Sequence, residues 1–285
     1  MPEADLHVHT TASDGKASPS EVIRLAAAEG LCALGICDHD STNGIDEALE
    51  EGKKLGIEVI PGVEINTDCG PTELHILGYF IDHRHPKLQD ALNWLRSSRE
   101  ERGRRMVEKL RQIGVHIEFD SVLQVSAGGA IGRPHVAAAL VEAGYASDIN
   151  SAFGKYLVRG APGYVERVRF TPVEAVRLIL EAGGIPGIAH PAKIGNENLW
   201  IDLIPHGLRC VEVYHPDHTA ADQRRYRRMA RERSLLITGG SDYHGPESVR
   251  NGFSREKFCQ IGQPRIPYEH VETLRAAAER RIKQT

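Results

Sequence analysis

Short apolar runs recur along the chain, and most of them are followed by a stretch in which apolar residues repeat at helical spacing. Several runs lack a strict alternation of apolar and polar positions, as do the buried strands of parallel sheets. The runs lie at positions 6–9, 32–37, 57–65, 74–81, 185–190, 211–214 and 235–238. The alternation of strand and helix patterns predicts an α/β architecture, closed as a barrel or wound as an open sheet.

Two of the helix starts carry the same four-residue signal. Ser18-Pro19-Ser20-Glu21 and Thr171-Pro172-Val173-Glu174 are capping boxes with proline at the first helical position. Gly30 and Gly183 follow the last positions with helical spacing, where glycine commonly ends a helix. These signals predict one helix after the first strand and another before the fifth.

The alternation of strand and helix patterns is interrupted between positions 85 and 170. Apolar residues there fall near one helical stripe from Leu88 to Ile113, interrupted by charge, and a second helix is expected over 134–142. We interpret this segment as a mainly helical insertion between the fourth and fifth strands. The predicted domains are therefore a barrel formed by residues 1–84 and 171–285, and an insertion domain, residues 85–170, that caps the active site.

Composition and charge narrow the function classes. The net charge of −4 gives no general attraction to duplex DNA or to an anionic membrane. No apolar run approaches the roughly 20 residues that span a bilayer, and no signal peptide is expected. The five cysteines are scattered without a paired spacing, which favours a reducing, cytoplasmic location over a disulfide scaffold.

Two segments far apart in the chain share an unusual spacing of polar residues. His7 and His9 are separated by one apolar residue, Val8. Asp242 and His244 are likewise separated by a single residue, Tyr243. On an extended strand, residues i and i+2 point to the same face, roughly 6–7 Å apart. Because a buried face with two histidines needs polar partners, the pattern indicates a metal site.

Similar residues follow most of the predicted strands, and the carboxyl ends of barrel strands form the active-site face. Nine candidate ligands exceed the three or four that one ion takes, which indicates two or three ions. Histidine and carboxylate ligands without thiolate suit Mn²⁺, Fe²⁺ or Zn²⁺. The candidate ligands are His7, His9, Asp14, His39, Glu64, His75, His190, Asp242 and His244.

These residues lie in six short motifs, which are Asp5–Thr10, Cys37–Asp40, Gly62–Glu64, Leu74-His75, Ala189–Pro191 and Gly240–His244. As a set, the motifs resemble those of the PHP (polymerase and histidinol phosphatase) family of metal-dependent phosphoesterases. The resemblance runs through almost the whole chain. One departure is Cys37, where the family usually has threonine; this residue precedes the ligand positions and leaves them intact.

The resemblance implies a distorted (β/α)7 TIM-like barrel that holds a trinuclear metal centre. A hydroxide bridging two metal ions would attack phosphorus, with His7, His9, Glu64, Asp242 and His244 as the catalytic residues. Two or three divalent ions are expected, with Mn²⁺ favoured and Zn²⁺ or Fe²⁺ as alternatives. The implied ligand sets are His7, His9, Glu64 and Asp242 for one ion, Glu64, His75 and His190 for a second, and Asp14, His39 and His244 for the third.

The insertion contains Gly132-Arg133-Pro134-His135 at a predicted helix start. Arginine binds phosphate in bidentate fashion, and a helix N-terminus favours anions. By resemblance to the family, Arg133 and His135 bind substrate phosphate; the alternative is an ordinary capped surface helix. Lys155 and Arg159 are weaker candidates for the same pocket. His215 and the basic run 224–233 have both functional and purely structural interpretations.

Several functions fit these observations. The favoured one is hydrolysis of a phosphate monoester of a small nucleotide, such as the 3′-phosphate of a nucleoside 3′,5′-bisphosphate, with short oligoribonucleotides trimmed from the 5′ end as further substrates. A histidinol-phosphate phosphatase would use the same chemistry, but the sequence offers no dedicated acidic set for its ammonium group. A non-catalytic, metal-binding accessory domain of a polymerase is the alternative of another class. An amidohydrolase shares the His-x-His motif.

Overall fold

The computed structural model describes residues 1–70, 72–126, 131–166, 168–245 and 260–282. The strands in these ranges are β1 (Glu3–Val8), β2 (Ala33–Ile36), β3 (Glu58–Cys69), β4 (Thr72–Tyr79), β5 (Ile185–Ile188), β6 (Cys210–Tyr214), β7 (Leu236–Gly239) and β8 (Ile266–Pro267). The helices are α1 (Pro19–Ala28), α2 (Ile45–Leu55), α3 (Pro86–Gln112), α4 (Phe119–Ser126), α5 (Arg133–Glu142), α6 (Ile149–Ala152), α7 (Pro172–Glu181), α8 (Asn198–Ile201), α9 (Ala220–Glu232) and α10 (Glu269–Ile282).

All the described strands belong to one sheet, in the order β7-β6-β5-β4-β3-β2-β1-β8. The pairs β1–β2, β2–β3, β5–β6 and β6–β7 are parallel. β4 runs antiparallel to both of its neighbours, and β8 runs antiparallel to β1. The short strands β2 and β5 are buried along their whole length, as expected for a sheet covered by helices.

The sheet is nearly closed because the segment after β7 pairs with β1. The backbone N–H of Asp242 donates to the carbonyl of His7 at 2.8 Å, and that of His9 donates to the carbonyl of Tyr243 at 3.0 Å. Gly240 permits this approach, since a Cβ atom there would lie 2.4 Å from the His7 backbone nitrogen. Closure therefore places the first and last predicted ligand pairs side by side.

The predicted α/β barrel is confirmed, and its strand arrangement differs from the expectation in two respects. β3 extends beyond Glu64 and turns back directly into β4, so that no helix separates these two strands. Glu64 thus lies inside a strand and not at its end. The short strand β8 adds an edge that the apolar pattern did not predict, because it contains only Ile266 and Pro267.

Both predicted capping boxes are present. Ser18 accepts from the backbone of Glu21 at 3.2 Å, while the Glu21 carboxylate accepts from the backbone of Ser18 at 2.7 Å. Thr171 and Glu174 exchange the equivalent hydrogen bonds at the start of α7. Because these caps fix where the helices begin, they also define the loops that follow the strands.

The chain divides into two compact units. One contains Met1–Asp90 and the described residues from Arg169 onward, and it holds the sheet. The other contains the described residues of Ala91–Val168. Its core is formed by apolar side chains of α3 to α6, including Met106, Leu110, Val122, Val136 and Leu140. The active-site role of the insertion domain stays a prediction.

None of the helices within the described ranges combines the length and the apolar character needed to cross a membrane.

Candidate metal centre

The nine predicted ligands lie at or near the same edge of the sheet, all within the first unit. His7 belongs to β1, Glu64 to β3 and His75 to β4, while the remaining six follow β1, β2, β5 and β7. Asp14 is the most accessible of the carboxylates, with 34% of its side chain exposed. The other two carboxylates, Glu64 and Asp242, are buried.

Glu64 lies at the middle of the cluster. Its side chain is fully buried and has five histidine rings around it. The Oε2 atom is 3.2 Å from His7 Nε2, His9 Nε2 and His39 Nδ1. The Oε1 atom is 2.8 Å from His75 Nδ1 and 3.0 Å from His190 Nε2. One carboxylate therefore contacts five histidines from four separate segments of the chain.

A first group of possible ligand atoms comes from His7, His9, Glu64 and Asp242, all within 4.8 Å of one another. Asp242 Oδ1 is 3.2 Å from His9 Nε2 and 3.7 Å from His7 Nε2. Ligand atoms about 2.0–2.1 Å from one tetrahedral ion stand roughly 3.3 Å apart. The spacing in this group therefore matches that of nitrogen and oxygen atoms around a single cation.

A second group contains His9, Asp14, His39 and His244. Asp14 Oδ1 is 3.3 Å from His244 Nε2 and 3.7 Å from His9 Nδ1, and Asp14 Oδ2 is 3.8 Å from His39 Nε2. The Nδ1 of His244 lies 2.8 Å from the carbonyl of Asp242 and donates to it. This hydrogen bond leaves Nε2 of His244 as the lone-pair nitrogen that points toward Asp14.

A third group contains His39, Glu64 and His75. His190 lies beside it, with its ring 5.0 Å from that of His75 between centroids. His190 has a left-handed backbone, with φ 30° and ψ 58°, which a non-glycine residue rarely adopts. The three groups overlap, since His9, His39 and Glu64 each belong to two of them.

The residues fit a bound cation, because several buried nitrogens lack a hydrogen bond. Among the described residues, neither ring nitrogen of His9 has a partner of acceptable geometry, and neither has Nδ1 of His39 or of His190. An unsatisfied buried polar atom costs on the order of 1–3 kcal/mol. Divalent ions would bind one nitrogen of each ring that they take as a ligand, and would neutralise the buried carboxylates.

The carboxylates and histidines also perturb one another electrostatically. Burial alone would raise the pKa of Glu64, but His39, His7 and His75 hold that pKa well below its usual range. Burial lowers the pKa of His9, yet Asp242 and Glu64 outweigh it and raise the pKa to about 9. The pKa of His75 is also raised to about 9, against burial, by Glu64. The metal-free centre therefore retains positive charge on histidine to balance its carboxylates.

Two acidic residues of the motifs accept hydrogen bonds from the loops around the cluster. Asp38 accepts from the backbone N–H and the hydroxyl of Thr10 at 2.7 and 2.8 Å, and from the Ser13 hydroxyl at 2.5 Å. Burial raises the pKa of Asp38 to about 6. Asp5 accepts from the backbone N–H groups of Ser241 and Gly262 at 2.9 and 2.8 Å. These carboxylates hold the loops that carry the predicted ligands.

Two further residues of the cluster come from β6 and its end. Glu212 was not predicted, although a charged residue between Val211 and Val213 in an apolar run was a usable signal. His215, whose role the sequence left open, is buried, with its Nε2 3.0 Å from Asp242 Oδ2. Lys193 Nζ lies 3.5 Å from the same oxygen, and the sequence analysis did not single it out.

The candidates outside the cluster belong to other parts of the chain. Arg133 and His135 lie at the N-terminus of α5 in the second unit. Lys155 lies over the ring of Tyr156, and Arg159 pairs with Glu166 at 3.2 Å. The basic run 224–233 lies mostly on α9, where its arginines are exposed, as expected for the solvated face of an outer helix.

Known proteins with similar sequences and structures bear on these residues. The PHP domain family matches residues 5–152. A 3′,5′-nucleoside bisphosphate phosphatase from Chromobacterium violaceum is 36% identical over 93% of this chain and 95% of its own length. A 5′-3′ exoribonuclease from Haemophilus influenzae is 36% identical over 85% of this chain and 90% of its own.

Among solved structures, a protein from Bifidobacterium adolescentis assigned as a metal-dependent phosphoesterase superposes with a TM-score of 0.79. It is 29% identical, and the match covers 96% of this chain and 95% of the other. The fold, the buried cluster of histidines and carboxylates and these similarities agree with one another. The chain belongs to the PHP domain family and is a metal-dependent phosphoesterase, a hydrolase of phosphoric ester bonds.

Proposed function

We propose that the protein hydrolyses a phosphate monoester of a small nucleotide, with the 3′-phosphate of a nucleoside 3′,5′-bisphosphate as its preferred target. The observation that carries this proposal is the arrangement of five histidines around Glu64, within three overlapping groups of possible ligands. The two activities named for the relatives act on nucleotide phosphates, which supports this substrate class. Short oligoribonucleotides are the second substrate class that we propose.

We propose that the nine residues of the cluster bind two or three divalent ions, with Mn²⁺ favoured and Zn²⁺ or Fe²⁺ as alternatives. When bound, such ions activate water near neutral pH and neutralise charge on a phosphoryl group. His9, His39 and Glu64 are shared between groups, which supports ions placed close together. The ligands are His7, His9, Asp14, His39, Glu64, His75, His190, Asp242 and His244, and we assign catalysis to His7, His9, Glu64, Asp242 and His244.

The chain's own residues hold and orient these groups. His215 accepts the backbone N–H of Asp217 on its Nδ1 at 3.0 Å, so its proton lies on Nε2 and is donated to Asp242 Oδ2. This bond leaves Asp242 Oδ1 to face His7 and His9. Lys193, with 30% of its side chain exposed, pairs with Asp217 Oδ2 at 3.0 Å and lies 3.5 Å from Asp242 Oδ2, so its ammonium group stands at the edge of the cluster that an incoming phosphate would meet. We therefore propose that Lys193 attracts the substrate.

We propose that Arg133 and His135 bind the phosphate that is not cleaved. The backbone N–H of Gly132 donates to His135 Nδ1 at 3.0 Å, which places the ring proton of a neutral His135 on Nε2. Nε2–H, the guanidinium of Arg133 and the helix N-terminus are all suited to an anion. Their roles, and a capping function for the insertion domain, are proposals that a kinetic comparison can test.

A substrate panel tests the proposed function. With Mn²⁺, purified protein should release phosphate from 3′-phosphoadenosine 5′-phosphate much faster than from histidinol phosphate or from adenosine 5′-monophosphate. A preference for histidinol phosphate would replace the proposed substrate with the amino alcohol ester. No release from any phosphate ester, with retained metal binding, would favour a non-catalytic metal-binding domain.

A pair of variants tests the proposed phosphate-binding residue. Replacing Arg133 by Ala should raise KM for the bisphosphate by a factor of ten or more, since charge-assisted bonds contribute about 1.5–3 kcal/mol. The KM for a simple monoester such as p-nitrophenyl phosphate should change little. The Arg111→Ala variant is the matched control, because Arg111 pairs with Glu118 at 3.4 Å in the same unit and is no candidate for the phosphate pocket. Equal effects of Arg133→Ala on both substrates would contradict the proposed role.

A cytoplasmic location is also proposed. The described cysteines, Cys32, Cys37, Cys69 and Cys210, are free thiols, as is usual in a reducing compartment.

A further inference from the structure

Strand β6 supplies none of the nine proposed ligands, but its central residue is a carboxylate buried beneath them. Glu212 has no exposed surface, and it lies between Val211 and Val213, which are also buried. An ionised carboxylate in such a position is costly unless it is paired and hydrogen-bonded. Both of its oxygens are used, and each is directed at a different proposed ligand.

The first oxygen fixes the ring of His7. Glu212 Oε1 is 2.9 Å from His7 Nδ1, which donates its proton to the carboxylate. The proton on Nδ1 leaves Nε2 as the lone-pair nitrogen when a cation binds, and Nε2 is the atom that lies 3.2 Å from Glu64 Oε2. Glu212 therefore sets both the tautomer and the orientation of this ring.

The second oxygen holds the backbone of His190. The N–H of His190 donates to Glu212 Oε2 at 2.7 Å. This residue is in the left-handed region, with φ 30°, which persists only where the surroundings enforce it. From that backbone the His190 ring reaches Glu64 Oε1 with its Nε2 at 3.0 Å. The hydrogen bond from Glu212 is therefore one of the contacts that hold the His190 ring against Glu64.

We propose that Glu212 is a positioning residue, which orients His7 and His190 for metal binding without itself being a ligand. It joins residues 205 and 22 positions away in sequence. The inference rests on the proposed ligand roles of His7 and His190. It predicts that Glu212 sets metal affinity through geometry, beyond any contribution to the stability of the sheet.

The Glu212→Gln variant separates these roles, because glutamine keeps the volume but offers one acceptor and one donor. Both partners of Glu212 donate, so the amide nitrogen must face one of them. If it faces His7, the ring must accept on Nδ1 and carry its proton on Nε2, the nitrogen needed by the cation. If it faces His190, the backbone N–H loses its acceptor. Either arrangement weakens one proposed ligand.

The measurement is the equilibrium affinity of the metal-free protein for Zn²⁺, in competition with a chromophoric chelator. We expect Glu212→Gln to bind 10–100-fold more weakly than the wild type, the usual effect of losing such a partner. The matched control is Glu51→Gln on α2, because Glu51 also accepts two hydrogen bonds, from Arg24 at 2.7 Å and Lys54 at 3.0 Å, outside the cluster. The control should bind Zn²⁺ like the wild type.

A second readout reports the His7 ring itself. With ¹⁵N-labelled histidine and bound Zn²⁺, the wild-type His7 resonance, assigned by its loss in His7→Ala, should show a protonated Nδ1 and a metal-coordinated Nε2. In Glu212→Gln that resonance should change tautomer or broaden. If Glu212 were merely structural, the Glu212→Gln variant would melt at a lower temperature but would keep both the wild-type tautomer of His7 and the wild-type affinity for Zn²⁺.

The outcomes distinguish this inference from the proposed ligand set. Wild-type Zn²⁺ affinity in Glu212→Gln, together with weakened binding in His7→Ala, overturns the inference alone. Unchanged binding in His7→Ala overturns the proposed ligand set. If Glu212→Gln does not fold, Glu212→Asp provides the same comparison, since its shorter carboxylate keeps the charge and cannot reach both donors. Wild-type affinity in a folded Glu212→Asp would then overturn the positioning role.

Discussion

The affinity of the centre for metal ions should depend steeply on pH. His9 and His75 each have a pKa raised to about 9 in the metal-free protein. A histidine must be neutral to bind a metal ion, so each ion that takes these nitrogens has to displace their protons. The raised pKa keeps both rings protonated below pH 9. The affinity for metal ions is therefore reduced at neutral pH and increases as the pH rises.

The magnitude follows from the two pKa values. At pH 7 each histidine lies about two units below its pKa, and one unit corresponds to about 1.36 kcal/mol. Proton displacement therefore costs roughly 2.7 kcal/mol for each ring, or about a hundredfold in affinity. Because His9 and His75 belong to different groups of possible ligands, each ion gains up to about a hundredfold from its own ring between pH 7 and pH 9, and the product of the two affinities rises by up to about ten-thousandfold.

The assay is Zn²⁺ competition with a chelator across that pH range, combined with calorimetry in buffers of different ionisation enthalpy to count the protons released. At pH 7 close to two protons should be released from these rings. Glu64→Gln should bind more weakly at every pH and with a shallower slope, because Glu64 helps to raise both pKa values. His83→Ala is the control, since His83 pairs with Asp46 at 2.9 Å outside the cluster. A wild-type affinity that changes less than tenfold between pH 7 and pH 9 would refute the reasoning.

Substitutions at three further positions test the architecture of the site. Asp242→Ala should abolish phosphate release while circular dichroism and gel filtration stay unchanged; retained turnover would remove this residue from the ligand set. His215→Gln, which keeps a donor near the position of Nε2, should retain kcat within a few-fold, whereas His215→Asn should lose on the order of tenfold or more; equal activity of the two would contradict the donor role. Gly240→Ala should be less stable by about 1–3 kcal/mol and should melt at a lower temperature, because the new Cβ would clash with the backbone nitrogen and Cβ of His7 and with Oδ1 of Asp5. The control Gly154→Ala meets no atom within 4 Å and should be close to neutral.

Local patterns predicted the α/β architecture and the candidate ligands, and the resemblance to the PHP family implied that the sheet closes into a barrel. Apolar runs mark the buried strands, capping boxes mark the starts of α1 and α7, and the paired spacing of His7 and His9 follows from the strand itself. The residues brought together around Glu64 are separated by long stretches of chain, yet each follows or lies in a predicted strand. For that reason their meeting could be expected before any distance was known.

The remaining features depend on how strands meet, and the pattern of single residues does not carry that information. Residues 66–69 extend β3 although their polar character indicates a loop, because β4 pairs with them and satisfies their backbone groups. Glu212 lies in an apolar run whose inward face is revealed only by the sheet. The role of His215 likewise required the position of Asp242, which comes from another strand.

The closure of the sheet between β1 and Tyr243 has a consequence for how the centre forms during synthesis. The third group of possible ligands, His39, Glu64 and His75, is complete once the first 75 residues have been made. The other two groups each require Asp242 or His244, which follow more than 160 residues later. A nascent chain could therefore hold a metal ion only at the third group, and the full cluster must await the last turn of the barrel. Metal loading of the complete centre is thus a late step of folding. It follows the long-range pairing of strands, which is the slow part of folding such a sheet.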